Sequence, residues 1–209
     1  MLAQWDGGAA PEKTEQPIGV LFLDIEGCTR LCEDLPPREM NAAFELYFSE
    51  YLDAVREAGG EVTEVLGDGL VALFEGSDLT HNAVAAFQAA LDIRRRTRRL
   101  NDRGPGHDPI TVNMGLNAGV ASTGVTRLRG QSGERWVYSA TGPVTNVAAR
   151  LCALAARGQT LTTQATAELL PSGCDCRSLG RRTLKNVTND VEVVEIRPAT
   201  GPWEMASHD

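Results

Sequence analysis

A single Gly-Asp-Gly break in a stretch of β-type residues constrains the fold of this chain more than any other feature. The runs Glu61 to Leu66 and Leu70 to Phe74 are short and β-prone, and only Gly67-Asp68-Gly69 separates them. Glycine and aspartate in so short a break are typical of tight hairpin turns. We therefore predict an antiparallel hairpin with Asp68 at its tip.

This hairpin lies in the middle of an alternating series of strands and helices. A buried strand is predicted from Ile18 to Asp24, followed by a helix that opens at Pro36-Pro37 and ends at Gly59-Gly60. After the hairpin, a helix from about Leu79 to Leu100 leads to a strand from Ile110 to Gly119. This βαββαβ order is that of a ferredoxin-like unit, in which the first strand and the central hairpin lie side by side in one sheet.

The rest of the chain is predicted to extend that core. The further predicted elements are a strand near Arg135 to Ser139, a helix from about Val144 to Ala156, a short strand and helix through Leu170, and closing strands near Leu184 and from Val191 to Ile196. The predicted fold class is α+β, a ferredoxin-like βαββαβ core with a C-terminal αβαββ extension. Residues 17–197 are expected to form one domain, with flexible tails at 1–16 and 198–209, which are polar or marked by Gly and Pro.

Two aspartates occupy matching positions in this pattern. Asp24 closes the first strand and Asp68 sits in the hairpin turn, and adjacent strands lie about 4.8 Å apart. A lone carboxylate beside buried strands is costly unless a cation meets it. Carboxylate oxygens suit Mg²⁺, which takes its remaining ligands from water and substrate phosphates. The sequence therefore predicts one metal site built from both side chains.

Charge and hydropathy exclude several classes of protein. A formal net charge of −8 argues against a nucleic-acid binder, because phosphate backbones need clustered cations. The one basic run, residues 94–99, closes a predicted helix, where cations complement the helix dipole; a phosphate or partner patch is the alternative. No segment reaches the roughly 18 apolar residues that cross a bilayer, and the N-terminus lacks a signal-peptide pattern. We expect a cytoplasmic protein that engages no membrane.

The cysteines do not form a recognisable framework. There are five, an odd number, and their spacing is not that of a secreted disulfide scaffold. We expect reduced, structural thiols. A four-thiolate zinc site is the alternative, but its spacing is wrong for a zinc knuckle. It would use Cys28, Cys32, Cys174 and Cys176.

Five motifs together resemble the catalytic domain of the class III nucleotidyl cyclases, the adenylyl and guanylyl cyclases. In chain order they are Phe22-Leu23-Asp24-Ile25-Glu26-Gly27-Cys28-Thr29, Leu66-Gly67-Asp68-Gly69, Met114-Gly115-Leu116-Asn117-Ala118-Gly119, Gly142-Pro143-Val144-Thr145-Asn146-Val147-Ala148-Ala149-Arg150-Leu151 and Leu184-Lys185-Asn186. They follow the family's order and cover nearly all of residues 18–197. The resemblance implies that the 3′-hydroxyl of a nucleoside triphosphate attacks its own α-phosphate and that pyrophosphate leaves.

The resemblance also implies roles for individual residues. Asp24 and Asp68, with the Ile25 carbonyl, would hold two Mg²⁺ or Mn²⁺ ions per site. Asn146 would position the ribose and Arg150 would stabilise charge on the α-phosphate; their i,i+4 spacing places them on one helix face. The residues implied to bind phosphate are Gly27, Cys28, Thr29 and Lys185.

Family members act as head-to-tail dimers, and so a homodimer with two composite sites is implied. One subunit would supply the aspartates, and the other would supply Asn146, Arg150 and Lys185. Plainer roles remain open for each residue: turn-capping aspartates, a helix-start asparagine, a surface arginine and an exposed strand lysine. Asn186 replaces the glycine that usually follows the lysine, which weakens the case for Lys185.

The base is read in the family by two positions, here Glu64 and Ser139. Adenylyl cyclases usually carry Lys and Asp or Thr there, and guanylyl cyclases carry Glu and commonly Cys. Glu64 accepts hydrogen bonds only, which suits the N1–H and N2–H groups of guanine and opposes the lone pair at N1 of adenine. GTP is therefore the favoured substrate. The alternatives are ATP, a pyrimidine nucleotide, and a Glu64 that pairs with a nearby arginine instead of a base.

Two further functions of a different kind remain open. A catalytically silent nucleotide-binding regulatory module would keep the fold without turnover. A metal-dependent phosphohydrolase would give a linear nucleotide and orthophosphate in place of a cyclic product.

Overall fold

The computed structural model describes most of the 209-residue chain as one succession of strands and helices. The described residues are 13–28, 35–104, 106–130 and 132–197. Their elements are β1 (Thr14–Ile25), α1 (Pro37–Glu57), β2 (Glu61–Leu66), β3 (Gly69–Phe74), α2 (Leu79–Asp102), β4 (Val112–Gly130), β5 (Gly133–Thr141), α3 (Pro143–Leu154), β6 (Thr160–Thr163), α4 (Gln164–Ala167), β7 (Asp175–Arg182) and β8 (Val191–Arg197).

The strands form one mixed sheet that confirms the predicted α+β class and the βαββαβ core. Its order is β2-β3-β1-β4-β6-β8-β7, with β5 paired to the second half of β4. The central hairpin is present as predicted, and β3 lies directly beside β1. In that register Asp24 is opposite Gly69 on β3 and opposite Asn113 on β4. The first strand and the hairpin are therefore neighbours, as the metal hypothesis requires.

The two faces of the sheet bury different clusters. Alternate residues of β1 point to opposite faces. Leu21 and Leu23 pack beneath α1 and α2, and Ile18 and Val20 pack on the other face with Tyr138 and the start of α3. Both helices of the first face begin where the sequence signals a start, α1 with Pro37 in its first turn and α2 with Asp78 accepting a hydrogen bond from the His81 N–H.

The basic run at the end of α2 holds two helices together. The Arg96 guanidinium, 13% exposed, lies 2.6 Å from a Glu57 oxygen, 2.8 Å from Asp92 and 3.1 Å from Glu50. Arg99 also pairs with Glu50 at 2.7 Å. This network favours a structural role for these arginines and leaves the phosphate-patch alternative without support.

Three boundaries differ from the predictions. The first strand begins at Thr14, inside the predicted tail 1–16, because residues 14–17 pair with 120–123 of β4. The strand predicted to end at Gly119 continues to Gly130, where β5 supplies the pairing that local propensity does not. The closing strand expected near Leu184 lies earlier, at Asp175–Arg182, and Leu184 itself begins a turn.

The cysteines in the described part of the chain form no disulfide and are free thiols, and Cys32 lies outside that part.

None of the helices among the described residues has the length and apolar character needed to cross a membrane.

Candidate active site

The end of β1 and the tip of the β2–β3 hairpin bring the two aspartates together. The Ile25 N–H donates a hydrogen bond to the Asp68 carbonyl at 3.0 Å, which ties the strand end to the turn. Gly69 permits this approach, because a Cβ there would lie 2.6 Å from the Leu23 carbonyl oxygen. The pKa of the Asp24 carboxyl is raised, first by partial burial and second by the charge of Asp68. The two carboxylates therefore repel each other across a short distance.

Nothing basic relieves this repulsion within the described residues. Neither Asp24 nor Asp68 forms an ion pair with an arginine, lysine or histidine there. Nor do three His, Cys, Asp or Glu side chains cluster anywhere in the described ranges closely enough to ligate a metal alone. Two unpaired carboxylates fit a Mg²⁺ or Mn²⁺ ion that takes its other ligands from water and phosphate. The Ile25 side chain is buried in the core, and only its backbone is available to such an ion.

A cavity of about 260 Å³ opens beside Asp24. Its walls come from β1, from the hairpin and from small residues of α3, and its lining residues are Phe22, Leu23, Asp24, Leu66, Gly69, Leu70, Ala149, Cys152 and Ala153. Burial, and secondarily the charge of Asp24, raises the pKa of the Cys152 thiol to about 12. The thiol is therefore neutral at working pH and is not a nucleophile. Sequence reasoning missed this wall, because small residues on a helix carry no chemical signature.

The predicted phosphate-binding turn follows β1 directly, and hydrogen bonds to residues in other parts of the chain hold it in place. The Glu26 N–H donates to the Thr111 carbonyl at 2.9 Å, and the Glu26 carboxylate accepts from the Arg157 N–H at 2.6 Å. Gly27 adopts a positive φ of 72°, and its N–H has no hydrogen-bond partner among the described residues. Cys28 is buried, and Thr29 lies outside the described residues. An available N–H beside the aspartates is compatible with a phosphate ligand.

Helix α3 carries Asn146 and Arg150 one turn apart, as predicted. Asn146 is exposed and Arg150 is half-buried. Among the described residues, neither side chain forms a hydrogen bond or an ion pair, and neither lines the cavity beside Asp24. One chain thus displays its aspartate pair and its Asn146/Arg150 pair as separate groups.

Lys185 lies in a turn and not on a strand. The Val187 N–H donates to the Leu184 carbonyl at 3.1 Å, and Leu184 is buried, so the turn is fixed to the core. Asn186 has a φ of 63°, the left-handed conformation that glycine adopts without strain and that asparagine tolerates best among the other residues. The exchange of glycine for Asn186 therefore preserves the turn that presents Lys185 to solvent.

Glu64 and Ser139 occupy different parts of the sheet. Glu64 is half-buried on β2. It is opposite Val71 on β3, and Val71 is opposite Phe22 on β1. Phe22 and Asp24 are two residues apart on β1 and point to the same face, so Glu64 shares the face of Asp24. Among the described residues it forms no ion pair, so the alternative of pairing with a nearby arginine has no support. Ser139 lies on β5 opposite Gly124 and follows the buried Tyr138, so it points to the other side of that hairpin. No hydrogen bond joins Ser139 to Glu64.

The sequence and the fold both match known proteins. Residues 10–196 match the family described as the adenylate and guanylate cyclase catalytic domain. This chain belongs to that family. The class III cyclase resemblance is thereby confirmed, and the two aspartates, the turn after β1 and α3 lie in the matched region.

Relatives with both base specificities share the fold. The chain is 24% identical over 184 residues to the terminal-differentiation specific adenylate cyclase of Dictyostelium discoideum, covering 86% of this chain and 8% of that protein. It matches the adenylyl cyclase CyaB from P. aeruginosa with a TM-score of 0.82 and 23% identity, covering 90% of this chain and 97% of the other. It also matches the guanylate cyclase domain of RhGC from Catenaria anguillulae, whose structure was determined in complex with GTP. That match has a TM-score of 0.77 and 19% identity, and it covers 89% of this chain and 99% of the other. At such identities the structures show the fold alone, and the fold does not discriminate between bases.

Proposed function

We propose that this member of the family is a metal-dependent cyclase that converts a nucleoside triphosphate, preferentially GTP, into its 3′,5′-cyclic nucleotide and pyrophosphate. The observation that carries the proposal is the pair Asp24 and Asp68, whose charges repel each other without a basic partner among the described residues, beside a cavity that Asp24 lines. A regulatory module that merely kept the fold would have no need of two mutually repelling carboxylates at that position.

In this proposal each group of residues has one task. Asp24 and Asp68 hold two Mg²⁺ or Mn²⁺ ions, which when bound activate the 3′-hydroxyl and neutralise the triphosphate. The N–H groups of the turn at Gly27 donate hydrogen bonds to a phosphate oxygen, and Lys185 contacts the terminal phosphates from its solvent-exposed turn. Arg150 stabilises the charge that develops on the α-phosphate, and Asn146 orients the ribose.

We propose that the active unit is a homodimer with two composite sites. Asn146 and Arg150 are presented on α3 without partners in the described part of the chain, and neither lines the cavity beside Asp24. A second copy in head-to-tail orientation would bring them to the aspartates of its partner. Neither half then acts alone.

The preference for GTP rests on Glu64. A carboxylate that accepts from guanine N1–H and N2–H would face a lone pair in adenine, which costs about 1–3 kcal/mol, or roughly 5- to 150-fold in kcat/KM. Glu64 has no ion-pair partner among the described residues and shares the face of Asp24, which supports this role. Ser139 discriminates less, because its hydroxyl donates or accepts.

The decisive experiment offers ATP, GTP, CTP and UTP separately with Mn²⁺ and identifies products by mass. Wild type is expected to form cyclic GMP fastest, and Asp68→Asn, which keeps the shape of the side chain, is expected to form none. Equal amounts of product from wild type and Asp68→Asn would refute the proposed cyclase function. Linear nucleotide with orthophosphate would show a phosphohydrolase, and no turnover of any nucleotide would show a silent module.

The base preference and the composite site have their own tests. Glu64→Lys, with or without Ser139→Asp, is expected to shift preference toward ATP, and a wild type that already prefers ATP tenfold would overturn the assignment of Glu64. Mixing the inactive Asp68→Asn and Arg150→Ala proteins is expected to restore about a quarter of wild-type activity, because half of the dimers then hold one intact site. No recovery would refute the composite site.

A further inference from the structure

The buried side chain of Asn117 connects the centre of the sheet to the first turn of α3. Asn117 lies on β4 and is 7% exposed. Its Nδ2 group donates to the Val144 carbonyl oxygen at 3.2 Å. Val144 is the second residue of α3, two positions before Asn146. A side chain of the sheet therefore holds the helix turn from which Asn146 and Arg150 project.

The acceptor side of the same amide is held in turn by the β6–α4 corner. The Thr166 hydroxyl donates to Asn117 Oδ1 at 2.9 Å, and the Thr163 hydroxyl lies 3.1 Å from the same oxygen. Thr166 also accepts from the Ala118 N–H at 3.0 Å, and Thr163 caps α4 through the Thr166 N–H. With Thr166 only 1% exposed, this network is shielded from water, and buried networks of this kind define a single arrangement.

The packing around Asn117 leaves little freedom for the helix. A Cβ on Gly115, two residues earlier, would lie 2.2 Å from the Ala148 carbonyl oxygen, so the helix backbone rests on the strand there. A Cβ on Gly119, two residues later, would lie 3.4 Å from the Val144 side chain. Contact at Gly115 sets the distance between the helix and the sheet. Contact with a glycine does not prevent the helix from sliding along the sheet. The hydrogen bond from Asn117 is directional, and it therefore fixes where the first turn of α3 lies along the sheet.

We propose that Asn117 is a positioning residue for catalysis, acting through the Val144 carbonyl to hold Asn146 and Arg150 where they meet the substrate. The inference rests on the proposed cyclase function and assigns Asn117 to the α3 half of the composite site. Displacement of reacting groups by about 1 Å costs on the order of 100-fold in rate. Loss of the hydrogen bond should therefore lower kcat, with little change in the metal half of the site.

The first test compares Asn117→Leu with Asn82→Leu. Asn82 is a matched control because it is also buried and donates to a backbone carbonyl, that of Pro17, at 2.9 Å, yet it lies on α2 across the sheet. Asn117→Leu is expected to lower kcat at least tenfold per folded molecule and to change KM for GTP and the Mn²⁺ requirement less than threefold. Asn82→Leu is expected to lose comparable stability and to keep kcat within twofold. Equal kcat losses in the two variants would overturn the proposal.

A second variant covers the case in which Asn117→Leu does not fold. Thr166→Val removes the 2.9 Å hydrogen bond to Asn117 Oδ1 while nearly keeping the side-chain shape. It is expected to lower kcat about three- to tenfold, which is the same kind of loss as in Asn117→Leu but smaller. Wild-type kcat in a folded Thr166→Val protein would count against the network.

Mixing experiments assign Asn117 to one half of the site. Asn117→Leu mixed with Asp68→Asn should recover activity, because one site of the heterodimer then has intact aspartates and an intact α3. Asn117→Leu mixed with Arg150→Ala should not, because each site then carries one damaged α3. The reverse pattern would overturn the proposal. If the reference mixture of Asp68→Asn with Arg150→Ala also fails, the composite dimer is wrong, and the kcat comparison with Asn82→Leu alone decides the role of Asn117.

Discussion

Gly115→Ala should displace the helix that carries Asn146 and Arg150. A Cβ at position 115 would lie 2.2 Å from both the Ala148 carbonyl oxygen and the Cys152 nitrogen, whereas ordinary contact begins at 3.4 Å. Both are backbone atoms of α3, so no side-chain rotation relieves the overlap and the helix must retreat by about 1.2 Å. Overpacking of this kind costs about 1–3 kcal/mol of stability. In the proposed function Asn146 and Arg150 act on the substrate, and a shift of about 1 Å in such groups costs on the order of 100-fold in rate.

Gly19→Ala provides a matched control on the other face of the sheet. Its Cβ would lie 2.4 Å from the Asn82 carbonyl oxygen of α2, which is an overlap of the same kind against a helix that carries none of the proposed site residues. We expect the two variants to lose similar free energies of unfolding. Only Gly115→Ala should also lose kcat beyond the unfolded fraction.

The assay combines urea unfolding with steady-state kinetics on GTP and Mn²⁺ at a temperature where both variants are fully folded. The expected result is a kcat for Gly115→Ala about 100-fold below that of Gly19→Ala. If both variants turn over at the wild-type rate when folded, the position of α3 on Gly115 does not govern catalysis. If both lose activity equally, the loss reflects general destabilisation and the reasoning is refuted.

Three further predictions concern stability. All three tyrosines, Tyr47, Tyr51 and Tyr138, have a pKa raised chiefly by burial, that of Tyr138 to about 12. The stability that these raised pKa values contribute is complete below pH 10, the ordinary pKa, and is lost as the pH rises through the raised values; native protein at pH 10 should therefore show less tyrosinate absorbance than the urea-unfolded chain, which is about half ionised. Arg96→Ala should lower the free energy of unfolding by about 1–3 kcal/mol in urea titrations, because it leaves three acidic side chains together, and no loss would count against the network. Asn186→Val should cost about 1–3 kcal/mol and raise KM, because a β-branched residue resists a φ of 63°, whereas Asn186→Gly should match wild type.

Much of the site could be predicted because its signals are local in sequence. The Gly67-Asp68-Gly69 break predicts the hairpin tip without reference to the rest of the chain, and the register then places Asp24 beside it. Asn146 and Arg150 share a helix face by spacing alone. The departure at Asn186 weakened the sequence argument for Lys185. In the structure Asn186 adopts the left-handed conformation that glycine also allows, so the replacement keeps the turn, and the phosphate role of Lys185 stays a prediction.

Other features depended on contacts that no local pattern encodes. The continuation of β4 to Gly130 comes from pairing with β5, and the start of β1 at Thr14 comes from pairing with β4. The role of Asn117 was invisible in its motif, because a buried asparagine is defined by the carbonyl and hydroxyls around it, which come from α3, β6 and α4.

The sequence by itself determined the order of elements, the aspartate pair and the family to which the chain belongs. These follow from periodicity, turn chemistry and motif order, which act over a few residues. Only the tertiary structure decided how α3 is seated on Gly115 and Asn117, and that Glu64 shares the face of Asp24 while Ser139 does not adjoin it. Those relations join residues far apart in the chain, and strand register and close packing set them only once the whole sheet is assembled.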